Sequence, residues 1–122
     1  MSDLVRACAL DEIPQDRALG VLVEGIKMAL VRDGDTIYAI KDACSHADVA
    51  LSEGEVSGCL LECWLHGSQF DLRTGQPTSL PAIDPVPIYE ARIVNQDGID
   101  EVHVNLSPLT AEEISQRHVT TN

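Results

Sequence analysis

The chain has 122 residues, with 20 Asp and Glu against 8 Lys and Arg and a formal net charge of −12. That length suits one domain and leaves no room for a second, substrate-binding catalytic domain. The charge excludes a nucleic-acid partner, whose phosphates need Lys and Arg, and an anionic membrane surface. Aromatic residues make up 3%, too few for base-stacking platforms, whereas 44% hydrophobic residues spread along the chain imply a packed core. No apolar run approaches the ~20 residues that span a bilayer, and the start, MSDLVRACAL, lacks a basic stretch followed by a long apolar one. A cytoplasmic protein is expected. In a reducing compartment Cys8, Cys44, Cys59 and Cys63 read as metal ligands or buried thiols rather than disulfides.

Period-two alternation predicts strands over Leu4–Leu10, Ala18–Glu24, Ile26–Val31 and Thr36–Lys41, with turns at Gly25 and at Asp33-Gly34-Asp35. A further strand is expected over Val86–Val94, turned at Asn95–Gly98 into Ile99–Leu106. Between Lys41 and Pro87 the apolar runs shorten, and Gly54, Gly58, Gly67 and Gly75 are followed by Pro77, Pro81, Pro85 and Pro87. Long loops inside a small domain usually carry function. The expected architecture is therefore an all-β antiparallel sandwich forming one domain over 1–106. A subdomain of about 42–87 is inserted between its two halves, and 107–122 forms a tail. Thr110 and Glu113 fit a capping box for a short helix in that tail.

The inserted stretch carries two Cys/His pairs. The first is Cys44-Ser45-His46, and the second is Cys63-Trp64-Leu65-His66, with sixteen residues between His46 and Cys63. Each pair supplies one thiolate and one imidazole at a loop, so two loops could grip one metal centre from opposite sides. A structural zinc site uses the same ligand types, but zinc pairs are usually spaced C-x2–4-C and H-x3–5-H. A nucleophilic Cys–His enzyme is disfavoured because the pairs are equivalent and no third orienting group is evident.

The pattern C-x-H…C-x2-H resembles the Rieske family. The Asp11–Pro14 step, the Gly67–Gln76 segment and the proline-rich loop near Leu80–Pro85 are similar to small Rieske-type ferredoxins. The resemblance implies a 2Fe-2S cluster with Cys44 and Cys63 on one iron and His46 and His66 on the other. With two thiolates, two sulfides and two ferric ions such a centre is neutral, and one electron makes it singly negative. Adding that electron is easier than to a four-thiolate cluster. The resemblance further implies a monomeric one-electron carrier with no substrate of its own. Electrons would come from a flavin-dependent ferredoxin reductase and go to a terminal oxygenase; the alternatives are another pathway, as a nitrite reductase small subunit or an iron-sulfur assembly accessory, or a zinc-stabilised binding module or redox sensor.

High-potential members of the family carry two further cysteines joined as a disulfide, at the positions of Val49 and Leu65 here; apolar packing of Val49 on Leu65 is expected instead. They also hydrogen-bond the cluster through a Ser and a Tyr. Ser68 is retained, but Phe70 stands at the Tyr position and has no hydroxyl. Fewer hydrogen bonds to the cluster imply a low potential, towards roughly −150 mV. Cys59, four residues before Cys63 and expected on the same strand face, reads as a small buried hydrophobe, as does Cys8. His103 and His118 read as surface residues, and without a two-His, one-carboxylate set an oxygenase catalytic subunit is disfavoured. Trp64 reads as packing beneath the loop or as a docking contact. Lys41 and Arg73 face seven acidic residues between positions 41 and 87, so the expected docking partners present basic surfaces.

Overall fold

The computed structural model describes residues 4–34, 36–43, 49–65, 67–78 and 85–114. Among these, ten strands form three antiparallel sheets. The first sheet orders β1 (Leu4–Ala9), β10 (Ile99–Asn105) and β9 (Ala91–Gln96). The second orders β2 (Leu19–Val23), β3 (Ile26–Asp33), β4 (Thr36–Lys41) and β8 (Ile88–Tyr89). The third is small: β5 (Val56–Ser57), β6 (Leu60–Glu62) and β7 (Gln69–Asp71). The all-β expectation holds, and the first four strands lie within two residues of their expected bounds.

The second sheet is the centre of the molecule because both of its faces are covered. Met28, Ala29, Leu30 and Val31 are consecutive in β3 and all buried. A strand buried on both faces reads as a continuous apolar run rather than an alternation. Side chains alternate across the strand, so Met28 and Leu30 join one core while Ala29 and Val31 join the other. β4 divides likewise, with Ile37 and Ala39 on the first face and Ile40 on the second. On the first face Val102, Val104 and Cys8 of the first sheet complete a sandwich core. On the second, Leu51, Leu61, Cys63, Phe70, Leu72 and Val86 form a separate core beneath the third sheet. Thus the third sheet, between β4 and β8 in sequence, stacks outside the sandwich as a third layer.

The strand expected over Val86–Val94 is broken at Glu90. Ile88 and Tyr89 pair with Ile40 and Ala39 in the second sheet, whereas Ala91–Gln96 pairs with β10 in the first. The chain changes sheets at this corner, where the Asn105 amide donates to the Glu90 carbonyl at 2.9 Å. Alternation continues across the corner, so periodicity alone does not reveal it. In the tail, residues 111–114 are helical. The expected capping box is present: the Thr110 amide donates to Glu113 Oε1 at 2.9 Å, and the Glu113 amide donates to Thr110 Oγ1 at 3.1 Å.

Candidate metal centre

The third sheet positions Cys63. β6 and β7 pair through Leu60–Asp71, Leu61–Phe70 and Glu62–Gln69, so the chain between them forms a hairpin tip. At its base the Cys63 amide donates to the Ser68 carbonyl at 2.7 Å. The Gly67 amide donates to the Cys63 carbonyl at 2.8 Å. These bonds hold Cys63 at a fixed point just past the strand end. The residue is wholly buried and its thiol is free. Ser68, across the base, is also wholly buried. Trp64 and Leu65 keep 50% and 45% of their surfaces exposed at the tip. Here the chain puts a sheltered sulfur one residue from an exposed apolar edge. Of the four expected ligands, Cys44, His46 and His66 lie outside the described residues, as do Pro81 and His118.

Two devices fix the inserted layer against the central sheet. At its start the Asp42 carboxylate accepts from the Ser52 amide and the Ser52 hydroxyl, both at 2.7 Å. Gly20 of β2 leaves room for that pair, since a Cβ there would lie 2.8 Å from Ser52 Oγ. At its end the Val86 amide donates to the Gly75 carbonyl and the Lys41 amide to the Pro87 carbonyl. Gly75 has φ +80, and a Cβ on it would lie 2.0 Å from the Val86 carbonyl oxygen. Gly54 is equally constrained, its would-be Cβ 1.6 Å from the Glu62 oxygen beside Cys63. Alternation patterns carry no trace of these backbone contacts. A glycine rhythm inside the insert is the signal that could have found them.

Two sequence expectations change. Cys59 does not share a strand face with Cys63, because it sits in the β5–β6 turn at the other end of β6, half-buried. Four strand steps separate the two, or about 13 Å, which removes Cys59 as a spare ligand. Its Sγ lies 3.7 Å from the Tyr38 hydroxyl and 3.9 Å from Asp33 Oδ2. Burial, then the Cys59 contact, push the Tyr38 phenol up to about 12. Nearby, Arg73 bonds both oxygens of Asp71, at 3.1 and 2.9 Å, and that bond raises the guanidinium above its ordinary range. Secondly, Val49 packs at the margin of the second core while Leu65 keeps 45% exposure, so Leu65 is a surface residue rather than a substitute for a buried disulfide. Phe70 is a fully buried member of that core.

Residues 3–90 match the Rieske 2Fe-2S domain, a span that covers both Cys/His pairs. The chain belongs to the Rieske family. It is 41% identical over 96 residues to the anthranilate 1,2-dioxygenase ferredoxin subunit of Burkholderia cepacia, covering 79% of this chain and 87% of that one. Among solved structures, the ferredoxin of carbazole 1,9a-dioxygenase from Nocardioides aromaticivorans IC177 superposes with a TM-score of 0.71. It is 37% identical, and the match covers 87% of this chain and 100% of that one. A chain from a complex of reduced oxygenase and oxidized ferredoxin in carbazole 1,9a-dioxygenase gives a TM-score of 0.76 at 31% identity, covering 90% of this chain and 99% of that chain. Membership of this family means a 2Fe-2S cluster. The donor chemistry fits one: a free, fully buried thiol at a tied hairpin base is what a thiolate ligand requires.

Proposed function

We propose that this chain is the one-electron carrier of an oxygenase system, taking electrons from a flavoprotein reductase and passing them to a terminal oxygenase. One observation carries the reading: the span matched to the Rieske domain contains both Cys/His pairs, and the relatives it aligns with are ferredoxin subunits. Cys44 and Cys63 would hold one iron, and His46 and His66 the other. When bound, the cluster supplies reversible one-electron chemistry. The chain's part is to hold and shield it. Leu61, Phe70 and Leu72 keep the Cys63 side dry. Phe70 offers no hydroxyl, which supports a potential towards the low end of the Rieske range. The cluster subdomain is taken as 42–87 within a 1–106 domain, with 107–122 as a tail.

Trp64 and Leu65 supply an apolar docking edge next to Cys63. Glu53 and Glu55 are exposed, and Glu62, half-buried, precedes Cys63 directly. The Glu62 amide donates to the Glu55 carbonyl, so those two residues are neighbours. Apolar contact rimmed by carboxylates suits a partner with a basic rim. The carrier acts as a monomer in the cytoplasm, where thiols that bind no metal, such as Cys8 and Cys59, stay free. Among the described residues no helix is long and apolar enough to cross a membrane.

The test is compositional first. The purified chain should contain iron and acid-labile sulfide in equal amounts and absorb in the visible. A flavoprotein reductase should then reduce it, and an oxygenase should reoxidise it, at rates that fall as salt rises. A colourless, zinc-loaded protein would overturn the reading.

A further inference from the structure

The segment after β10 is not explained by the carrier role. It starts at Leu106 and Pro108, which line a groove together with Lys41, Asp42 and Ala43, the residues leading into Cys44. Next, the Leu109 amide donates to the Ile88 carbonyl at 2.8 Å, tying the segment to β8, directly after the insert. The capped turn follows, closed by the Ile114 amide on the Thr110 carbonyl at 2.9 Å. Leu109 and Ile114 both pack on the core that contains Cys63 and Phe70. A single helical turn is unstable by itself, so its cap and these two apolar contacts are what hold it. The segment lies beyond the residues matched to the Rieske domain, and the Nocardioides ferredoxin is spanned in full by 87% of this chain.

We propose that Pro108–Ile114 is a strap that braces the base of the second ligand-bearing loop, with Leu109 and Ile114 as its positioning residues. It acts through the core that Leu109 and Ile114 share with Cys63, while Pro108 faces Lys41–Ala43 across an open groove. By closing that core it keeps water from the Cys63 side and slows loss of the metal. The metal-retaining part of this role rests on the carrier reading; the bracing part does not.

Hydrogen exchange on the full-length chain tests the bracing. In Leu109→Ala/Ile114→Ala the amides of Cys63 and Gly67, both hydrogen-bonded at the hairpin base, should exchange about tenfold faster. Amides of β9 and β10 should keep their wild-type rates. Iron release to a chelator should rise in parallel, and Leu109→Met/Ile114→Val should restore both. Thr110→Ala removes the cap without touching the core and should raise exchange at the same two amides by a smaller factor, so the idea is testable even if the double variant does not fold. Unchanged exchange at Cys63 and Gly67, or an equal rise throughout β9 and β10, would overturn the strap. If the wild-type chain lacks iron and sulfide, the carrier reading fails while the exchange comparison still decides the bracing.

Discussion

The two faces of the central sheet are built differently. The first face packs against long strands whose ladders carry one irregularity, a register shift between Arg6 and Cys8, and Val102 and Val104 of β10 share a core with Met28 and Leu30 of β3. The second packs against strands of two or three residues joined by loops, and it is held by point contacts: Asp42 on Ser52, Gly75 against Val86, Gly54 against Glu62. Among the described residues each core contains one buried cysteine, Cys8 at 3% exposure and Cys63 at 0%. Burial therefore does not distinguish a structural sulfur from the proposed ligand sulfur in this chain. Backbone context does: Cys8 sits inside the β1–β10 ladder, paired with Val102, whereas Cys63 stands just beyond a strand end. A strand interior has its backbone groups committed and its side chains interdigitated. A hairpin base can aim a side chain at something that is not protein.

The sharpest way to break that contrast is to remove each sulfur in turn. Cys63→Ala should abolish visible absorption and acid-labile sulfide, because a cluster stripped of one of its two thiolates is not retained. Cys8→Val should leave iron and sulfide content unchanged and shift stability by roughly 1 kcal/mol or less, as a near-isosteric core swap does. Iron and sulfide analysis of the two purified variants checks both. Equal cluster loss from both would mean the two cores are not separable.

The second face should also be the more sensitive to a single added methyl group. Gly75→Ala demands a Cβ 2.0 Å from a backbone oxygen at φ +80, and should cost on the order of 3 kcal/mol. Gly98→Ala, in the β9–β10 turn at φ +84 with open space around it, should cost about 1 kcal/mol. Denaturant midpoints at constant slope decide the matter. Similar losses at the two positions would show that the insert relaxes around Gly75 and is not pinned there.

The same contrast explains what could be read from the sequence. The framework strands announce themselves by alternation and turn residues, and Thr36–Lys41 falls on its expected bounds. In the first sheet, where β10 buries Val102 and Val104 and leaves their neighbours more open, one covered face imposes the period of two. The family is legible because C-x-H and C-x2-H is an uncommon spacing. Three features are hidden for physical reasons. The sheet change at Glu90 costs no break in alternation, since both flanking strands keep one face inward. The two-layer burial of β3 follows from what packs over each face, a property of distant residues. The docking of Leu109 and Ile114 rests on two apolar residues in a polar tail, too few to form a pattern.

The smallest effect concerns Cys8 and the alkaline limb of stability. Burial pushes its thiol from the ordinary 9.0 up to about 11, with the nearby Glu12 adding to the shift. A thiol with a raised pKa binds its proton more tightly in the folded chain than in the unfolded one. Its stabilising contribution is therefore complete below about pH 9 and is lost as pH rises through about 11. Tyr89, raised by burial in the same core, acts in the same direction. Melting temperature should fall between pH 9 and 11, and Cys8→Val should flatten that fall while leaving the neutral-pH value almost unchanged. If Cys8→Val melts with the wild-type alkaline slope, Cys8 ionises without breaking the sandwich core, and the first face is looser than its register implies.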